Sequence, residues 1–258
     1  MSEQVVSDLM RAHVYRMAQK GERMDGRALD EPRKLVVERS YVKTAEGSAR
    51  VKLGNSDVLV GIKMSVGEPY PDTPNTGVLS TSVEMVPLAS PTFEAGPPRP
   101  EAIELARVVD RGIRESKMVN TERLCITPKE KVWVMFIDIH VLDYDGNLFD
   151  AASYGAVAAL AGTTVPAKAA GVSDDFPLPV EHWPVSVTFA KIKEIILVDP
   201  SLDEERMADA RLTVTTDENG DIRAMQKGLS GSFSYDEVKR MIETSQKVGR
   251  MIRPQLQS

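Results

Sequence analysis

The chain has 258 residues, 42% hydrophobic and 27% charged, with 17 glycines and 16 prolines; this excludes collagen-like, disordered and coiled-coil classes and suits a globular protein with a sizeable core. The formal net charge is −6, so the whole molecule does not attract nucleic acid or an anionic membrane, and any anion-binding surface is local or shared with a partner. The single cysteine, Cys125, excludes a disulfide framework and a cysteine-based zinc site and suits a reducing compartment.

The opening MSEQVVSDLMRAH lacks the apolar stretch of a signal peptide. No apolar run approaches the roughly 20 residues that span a bilayer, so a soluble, cytoplasmic protein without membrane contact is expected. Residues 3–20 read as a helix, with Val6, Leu9, Met10, Val14 and Met17 at helical spacing and Gly21 as its stop. Strands are expected over 35–42, 48–53 and 57–66, the last two joined by a hairpin at Gly54-Asn55-Ser56. Residues 67–100 hold eight prolines and read as a long connection carrying one strand near 78–86.

A helix over 101–117 is expected to bury Ile103, Leu105, Ala106, Val109 and Ile113. Residues 131–142, apolar on both faces apart from Asp138 and His140, read as a central strand. A tight turn, Asp143-Tyr144-Asp145-Gly146-Asn147, leads into an alanine-rich helix over 150–160 that ends at Gly162. The Pro- and Ala-rich stretch 163–183 marks a junction dividing the chain into subdomains 1–165 and 166–258. Beyond it lie strands at 185–190, 194–198, 210–216 and 222–225, with a helical turn near 202–207. The last helix opens on the capping box Ser234-x-x-Glu237. Strands followed by helices, twice over, give an α+β chain of two packed halves.

Familiar site motifs are missing: there is no phosphate loop, no GxGxxG between a strand and a helix, and no metal-binding spacing among His13, His140 and His182. Gly228-Leu229-Ser230-Gly231-Ser232 comes nearest to a nucleophile elbow but lacks the final glycine. On the second helix Arg107, Arg111 and Arg114 line one face. Salt bridges from Glu104 to Arg107, Asp110 to Arg114 and Arg111 to Glu115 would make this a solvated face; alternatively the row grips successive backbone phosphates. Asp138 and His140 share one strand face, which suits either catalysis or a satisfied buried carboxylate. Asp199, Asp203, Glu204, Glu205 and Asp209 form either a solvated acidic turn or a cation site.

Several segments, taken in order, resemble the RNase PH family and its relatives in the exosome ring. They are Arg23-Met24-Asp25-Gly26-Arg27 with Asp30-Glu31-Pro32-Arg33, then Glu46-Gly47-Ser48-Ala49, the arginine helix, Leu142-Asp143-Tyr144-Asp145-Gly146-Asn147, and Leu197-Val198-Asp199-Pro200. The resemblance covers nearly the whole chain and implies an α+β RNase PH-like fold, two mixed β-sheet subdomains packed with helices. Active members of that family carry out phosphorolysis, in which phosphate attacks the last phosphodiester of an RNA 3′ end and a nucleoside diphosphate leaves. The reaction needs an anion pocket at a helix N-terminus and a carboxylic acid that protonates the leaving oxygen or organises a metal that does so.

The sequence departs from both requirements. Where active members carry glycine- and hydroxyl-rich runs after the Asp-Gly turn, this chain has Asn147-Leu148-Phe149-Asp150. Leu148 and Phe149 offer no hydroxyl or charge, and Asp150 repels phosphate. Arg211 stands at the catalytic acid position when Val214 sets the register, and a guanidinium cannot act as a general acid at neutral pH. A slip of one or two residues brings Asp209 there instead. These losses, with the runs Asp145-Gly146-Asn147-Leu148-Phe149-Asp150-Ala151 and Pro87-Leu88-Ala89-Ser90-Pro91-Thr92-Phe93-Glu94, resemble the non-catalytic subunit of the archaeal-type exosome ring. The resemblance implies no catalytic residue, metal or cofactor of its own. Its implied partners are a catalytic RNase PH-like subunit alternating with it in a hexameric ring of three heterodimers, RNA-binding cap proteins, and single-stranded RNA held at Arg107, Arg111 and Arg114. A self-sufficient phosphate-dependent 3′-to-5′ exoribonuclease is the alternative.

Overall fold

The computed structural model describes residues 8–258. Of the helix expected over 3–20, residues 3–7 with Val6 lie outside the described residues. Helix α1 (Asp8–Gln19) packs Val14 and Ala18 on Ile192, Leu197 and Met207, far along the chain.

Six strands make the first sheet: β1 (Leu35–Arg39), β2 (Gly47–Leu53), β3 (Ser56–Gly67), β4 (Val78–Met85), β5 (Cys125–Thr127) and β6 (Lys131–Asp143). Their order is β1-β2-β3-β6-β4, with β5 on the start of β6. The β4–β6 pair is parallel and the others antiparallel, so this sheet is mixed. The hairpin at Gly54-Asn55 sets Leu53 opposite Ser56. Strand β1 stops at Arg39, short of the expected residue 42, because Ser40 turns the chain with φ 52° and the Val42 amide donates to Ser48 Oγ at 2.8 Å. Strand β6 is central, yet only one face is sealed. Met135, Ile137, Ile139 and Val141 are fully buried, while Phe136 on the other face is 38% exposed.

Helix α2 (Pro100–Glu115) buries Ala102, Leu105, Val108, Val109, Gly112 and Ile113. This corrects the expected stripe: Ile103 is 48% exposed. Two residues turn a helix by about 200°, so Ile103 points away once Leu105 and Val109 face the core. Gly112 sits over Thr215 and Ser186 of the second half, which draws the buried arc toward Val108.

Helix α3 (Leu148–Ala161) starts two residues before its expected limit and is buried on every side except at its last residue. Its small, apolar composition suits a helix enclosed by other elements; it touches β2 and β3 on one side and β9 on the other. A short hairpin, β7 (Thr164–Val165) and β8 (Phe176–Pro177), follows. The second sheet comprises β9 (Val185–Ile192), β10 (Ile195–Val198), β11 (Ala210–Thr216) and β12 (Ile222–Gly228), ordered β10-β9-β11-β12 and antiparallel throughout. Helix α4 (Leu202–Met207) lies between β10 and β11. Helix α5 (Tyr235–Gln257) carries the expected capping box, and Met241, Ser245, Val248, Ile252 and Leu256 form its buried stripe. A single apolar core takes side chains from both sheets and from α2, α3 and α5.

Gly146, at the turn into α3, has φ 85°, and a Cβ there would lie 2.5 Å from the Leu202 amide nitrogen. A backbone neighbour cannot swing aside as a side chain can. Gly146→Ala is expected to cost more than about 2 kcal/mol, read as a lower urea midpoint; an unchanged midpoint would contradict this packing.

Candidate functional site

Three of the family-like segments, those around Arg23–Arg33, Leu142–Asn147 and Leu197–Pro200, converge on one buried ionic knot. Arg23 Nε donates to Glu204 Oε1 at 2.8 Å, and its other nitrogens donate to the carbonyls of Val198 (2.8 Å) and Asp199 (2.9 Å). Arg33 donates to Asp199 through its amide (2.7 Å), Nε (3.0 Å) and Nη2 (2.8 Å), and to the Asp145 carbonyl at 2.7 Å. Asn147 Nδ2 donates at 2.7 Å to Asp199 Oδ1, the oxygen that Arg33 Nη2 also reaches. Burial alone would raise the Asp199 carboxyl, but the Arg33 bonds and charge hold it below its ordinary value. Asp199 and Glu204 are therefore neither a solvated turn nor ligands in waiting; each neutralises a buried arginine.

This knot sets the N-terminus of α3, where the sequence places the lost anion pocket. Asn147, held left-handed at φ 50°, caps the helix by accepting from the Asp150 amide. The N-terminal end of that helix is engaged from within: the Asn147 amide donates to Glu205 Oε2 at 2.9 Å, and the Tyr144 hydroxyl donates to the same oxygen at 3.3 Å. Leu148, Phe149 and Asp150 are all buried. Over the Phe149 ring, 4.0 Å from its centroid, lies the Arg211 guanidinium. Arg211 also meets Glu104 of α2 at 2.5 Å and comes within 3.9 Å of Glu205. A carboxylate, a phenyl ring and a guanidinium thus fill the space in which a helix terminus could hold a free anion.

Asp150 points inward. It accepts from Asn147 Nδ2 (2.8 Å), the Thr188 amide (3.0 Å) and Thr188 Oγ1 (2.7 Å). Burial pushes its pKa up to about 7, opposed by the Asn147 bond and reinforced by the nearby Asp199 charge.

The arginine row of α2 borders a groove of about 780 Å³ together with Ile103, Glu104, Asp110, Thr81 and Gln226. Of the three helix pairs that would make it a solvated face, one forms. Arg114 donates to Asp110 at 3.0 and 3.1 Å, and also to the Leu79 carbonyl at 3.3 Å. Glu104 turns to Arg211 instead of Arg107, and no ion pair joins Arg111 to Glu115 among the described residues. Arg107 and Arg111 are exposed.

The other candidates have local work. Asp138 accepts from Ser82 Oγ at 2.7 Å and His140 pairs with Glu84 at 3.3 Å, both across the β4–β6 ladder on the outer sheet face. Asp209 accepts from the Lys193 amide at 2.7 Å, in the β9–β10 turn, so β11 presents Arg211 rather than Asp209 toward α3. The Gly228–Ser232 loop braces the start of β11 through the Gly231 amide and the Asp209 carbonyl. The grouping of His182, Asp217 and Glu218 closes the β11–β12 turn: Arg223 engages Asp217, and Glu218 meets His182 at 2.7 Å and the Trp183 amide at 3.0 Å. Sequence reasoning missed the Glu205 cap and the Arg211–Glu104 pair, whose members stand 107 positions apart. No short-range spacing could signal either.

Two sheets wall in one shared helix, and an arginine-lined groove runs along α2. The chain belongs to the RNase PH family. It matches the 3′ exoribonuclease family, domain 1, over residues 31–166 and domain 2 over residues 182–248. It is 50% identical to the exosome complex component Rrp42 of Methanocella arvoryzae, covering 100% of this chain and 99% of that one. It is 53% identical to the component of the same name from Thermococcus kodakarensis, covering 98% and 96%. Among solved structures it superposes on a chain of the Archaeoglobus fulgidus exosome with RNA bound to the active site, with TM-score 0.93 and 48% identity over 96% of this chain and 97% of that chain. It also matches a chain of an archaeal exosome core with TM-score 0.92 and 42% identity over the full length of both. No helix among the described residues is long and apolar enough to cross a membrane.

The raised Asp150 pKa has a signed consequence. Between the unfolded value of 3.8 and about 7 the folded chain holds a proton that the unfolded chain has lost. Its contribution to stability therefore falls as pH rises through that window, by up to ~1.4 kcal/mol per unit. Asp150→Asn imitates the protonated form: its Oδ1 accepts from Asn147 and Thr188 N, and its Nδ2 donates to Thr188 Oγ1. The variant is expected to match the parent near pH 4 and exceed it by a few kcal/mol above pH 7, in urea titrations; parallel curves would refute the assignment.

Proposed function

We propose that this chain is a non-catalytic subunit of the exosome core ring for 3′-to-5′ RNA degradation. It alternates with a catalytic RNase PH-like subunit in a ring of three heterodimers, beneath RNA-binding cap proteins, in the cytoplasm. It helps shape its neighbour's active site and grips single-stranded RNA by the backbone through Arg107 and Arg111, with Arg114 anchored at the end of the row. The observation that carries this reading is the filled terminus of α3. With Glu205 on the Asn147 amide, the Asn147 side chain on the Asp150 amide and Arg211 over Phe149, a phosphate approaching this terminus meets a carboxylate and a phenyl ring in place of hydroxyl donors. Arg211 in place of an acid removes the proton source as well.

Two further features support the reading. Exposed Ile103 in the arginine groove suits a surface covered by a partner rather than by water. Guanidinium groups bind phosphate through paired N–H donors, and a few at a subunit junction serve RNA without a basic molecule, in keeping with a net charge of −6. Aromatic residues make up 5% of the chain, which favours backbone contact over base stacking.

The purified chain is expected to release no nucleoside diphosphate from RNA in millimolar phosphate, and to acquire activity on mixing with its catalytic partner. Phosphorolysis by the chain alone would overturn the reading in favour of a self-sufficient exoribonuclease. In the assembled complex, Arg107→Glu with Arg111→Glu is expected to weaken single-strand binding while native mass is kept. Each lost phosphate contact should flatten the log–log salt dependence by roughly 0.7. Unchanged affinity and slope would remove both residues from the RNA path.

A further inference from the structure

The groove along α2 has an uneven account of charge. Three carboxylates line the groove, Glu104, Asp110 and Glu115; the first two are each bound to an arginine other than Arg107 or Arg111, and Glu115 has no ion pair among the described residues. Asp110 is bound to Arg114 of its own helix, Glu104 to Arg211 from the second sheet. Glu104 stands three positions before Arg107, the spacing at which a helix brings opposite charges together. It is drawn the other way.

The fold makes a specific place for the group that draws it. Arg211 is 8% exposed, lies 4.0 Å over the Phe149 ring, and passes Gly228 so closely that a Cβ there would sit 2.5 Å from Nη2. Stack, missing side chain and carboxylate fix one orientation of the guanidinium, with Nη2 donating to Glu104 Oε1 and Nη1 turned toward Glu205.

We infer that Arg211 is a positioning residue for RNA: it holds the Glu104 carboxylate away from Arg107, and so keeps the groove open to a phosphate backbone. The residue at the lost acid position thereby acts on the RNA track through α2. The inference rests on the RNA reading of Arg107 and Arg111. Freed of Arg211, Glu104 has two ways to weaken binding. It can pair with Arg107, and it repels phosphate as an added negative charge in the groove.

The test uses the full chain in complex with its catalytic partner and a fluorescent oligoadenylate, read by anisotropy at low salt. Arg211→Gln is expected to weaken binding roughly three- to tenfold. Glu104→Gln alone should bind as well as the parent or better, and the double variant Arg211→Gln, Glu104→Gln should return to within about twofold of the parent. If the pair were only a latch between helix and sheet, Glu104→Gln would weaken binding as Arg211→Gln does and the double variant would not recover; that pattern overturns the inference. So does an undiminished affinity of Arg211→Gln when Arg107→Glu, Arg111→Glu has lost it. If the latter variant also binds normally, the RNA reading itself fails, which separates the two outcomes.

Discussion

The carboxylate of Asp199 is the joint from which the functional surface is hung. It is 1% exposed and accepts from the amide and guanidinium of Arg33 and from the side chain of Asn147, so it ties together three segments far apart in the chain. A buried carboxylate is tolerable only when so bonded, and removing one partner typically costs about 3–5 kcal/mol because a lone charge is left behind. The effect runs outward. Asp199 fixes Asn147 at the head of α3; α3 sets Phe149 beneath Arg211; Arg211 meets Glu104, and Glu104 lies on the helix that carries the exposed arginines. Each step is a short contact between named groups.

The elements of the fold were legible because most of them obey local rules. The apolar run of β6, the hairpin at Gly54-Asn55 and the capping box at Ser234 each show within about a dozen residues, though the run did not show that only one face of β6 is sealed. Two readings went astray, each for its own reason. Ile103 was placed in the buried stripe of α2 because its apolarity fits, but the helix is rotated by the second sheet, whose Thr215 and Ser186 lie under Gly112. Strand β1 ends early because Ser40 turns left-handed, and an L residue seldom advertises that conformation in sequence.

The site was legible in part. Asn147-Leu148-Phe149-Asp150 in place of a hydroxyl-rich run is plain to read, while the match of Arg211 to the family's acid depends on the register, with Asp209 two residues away. The Glu205 contact is not legible, since Glu205 reaches the Asn147 amide through the fold-back of α4 over the turn. The acidic stretch 199–209 illustrates the limit well. As a string it suggests water or a cation; in the structure Asp199 and Glu204 are the counter-charges of Arg33 and Arg23, chosen by partners more than 160 residues away.

Helix α3 has one more consequence. Because both sheets wall it in, neither half closes its interior without the other. It sits like the keystone of an arch, and α2, which packs on it, takes its place from a core that both halves share.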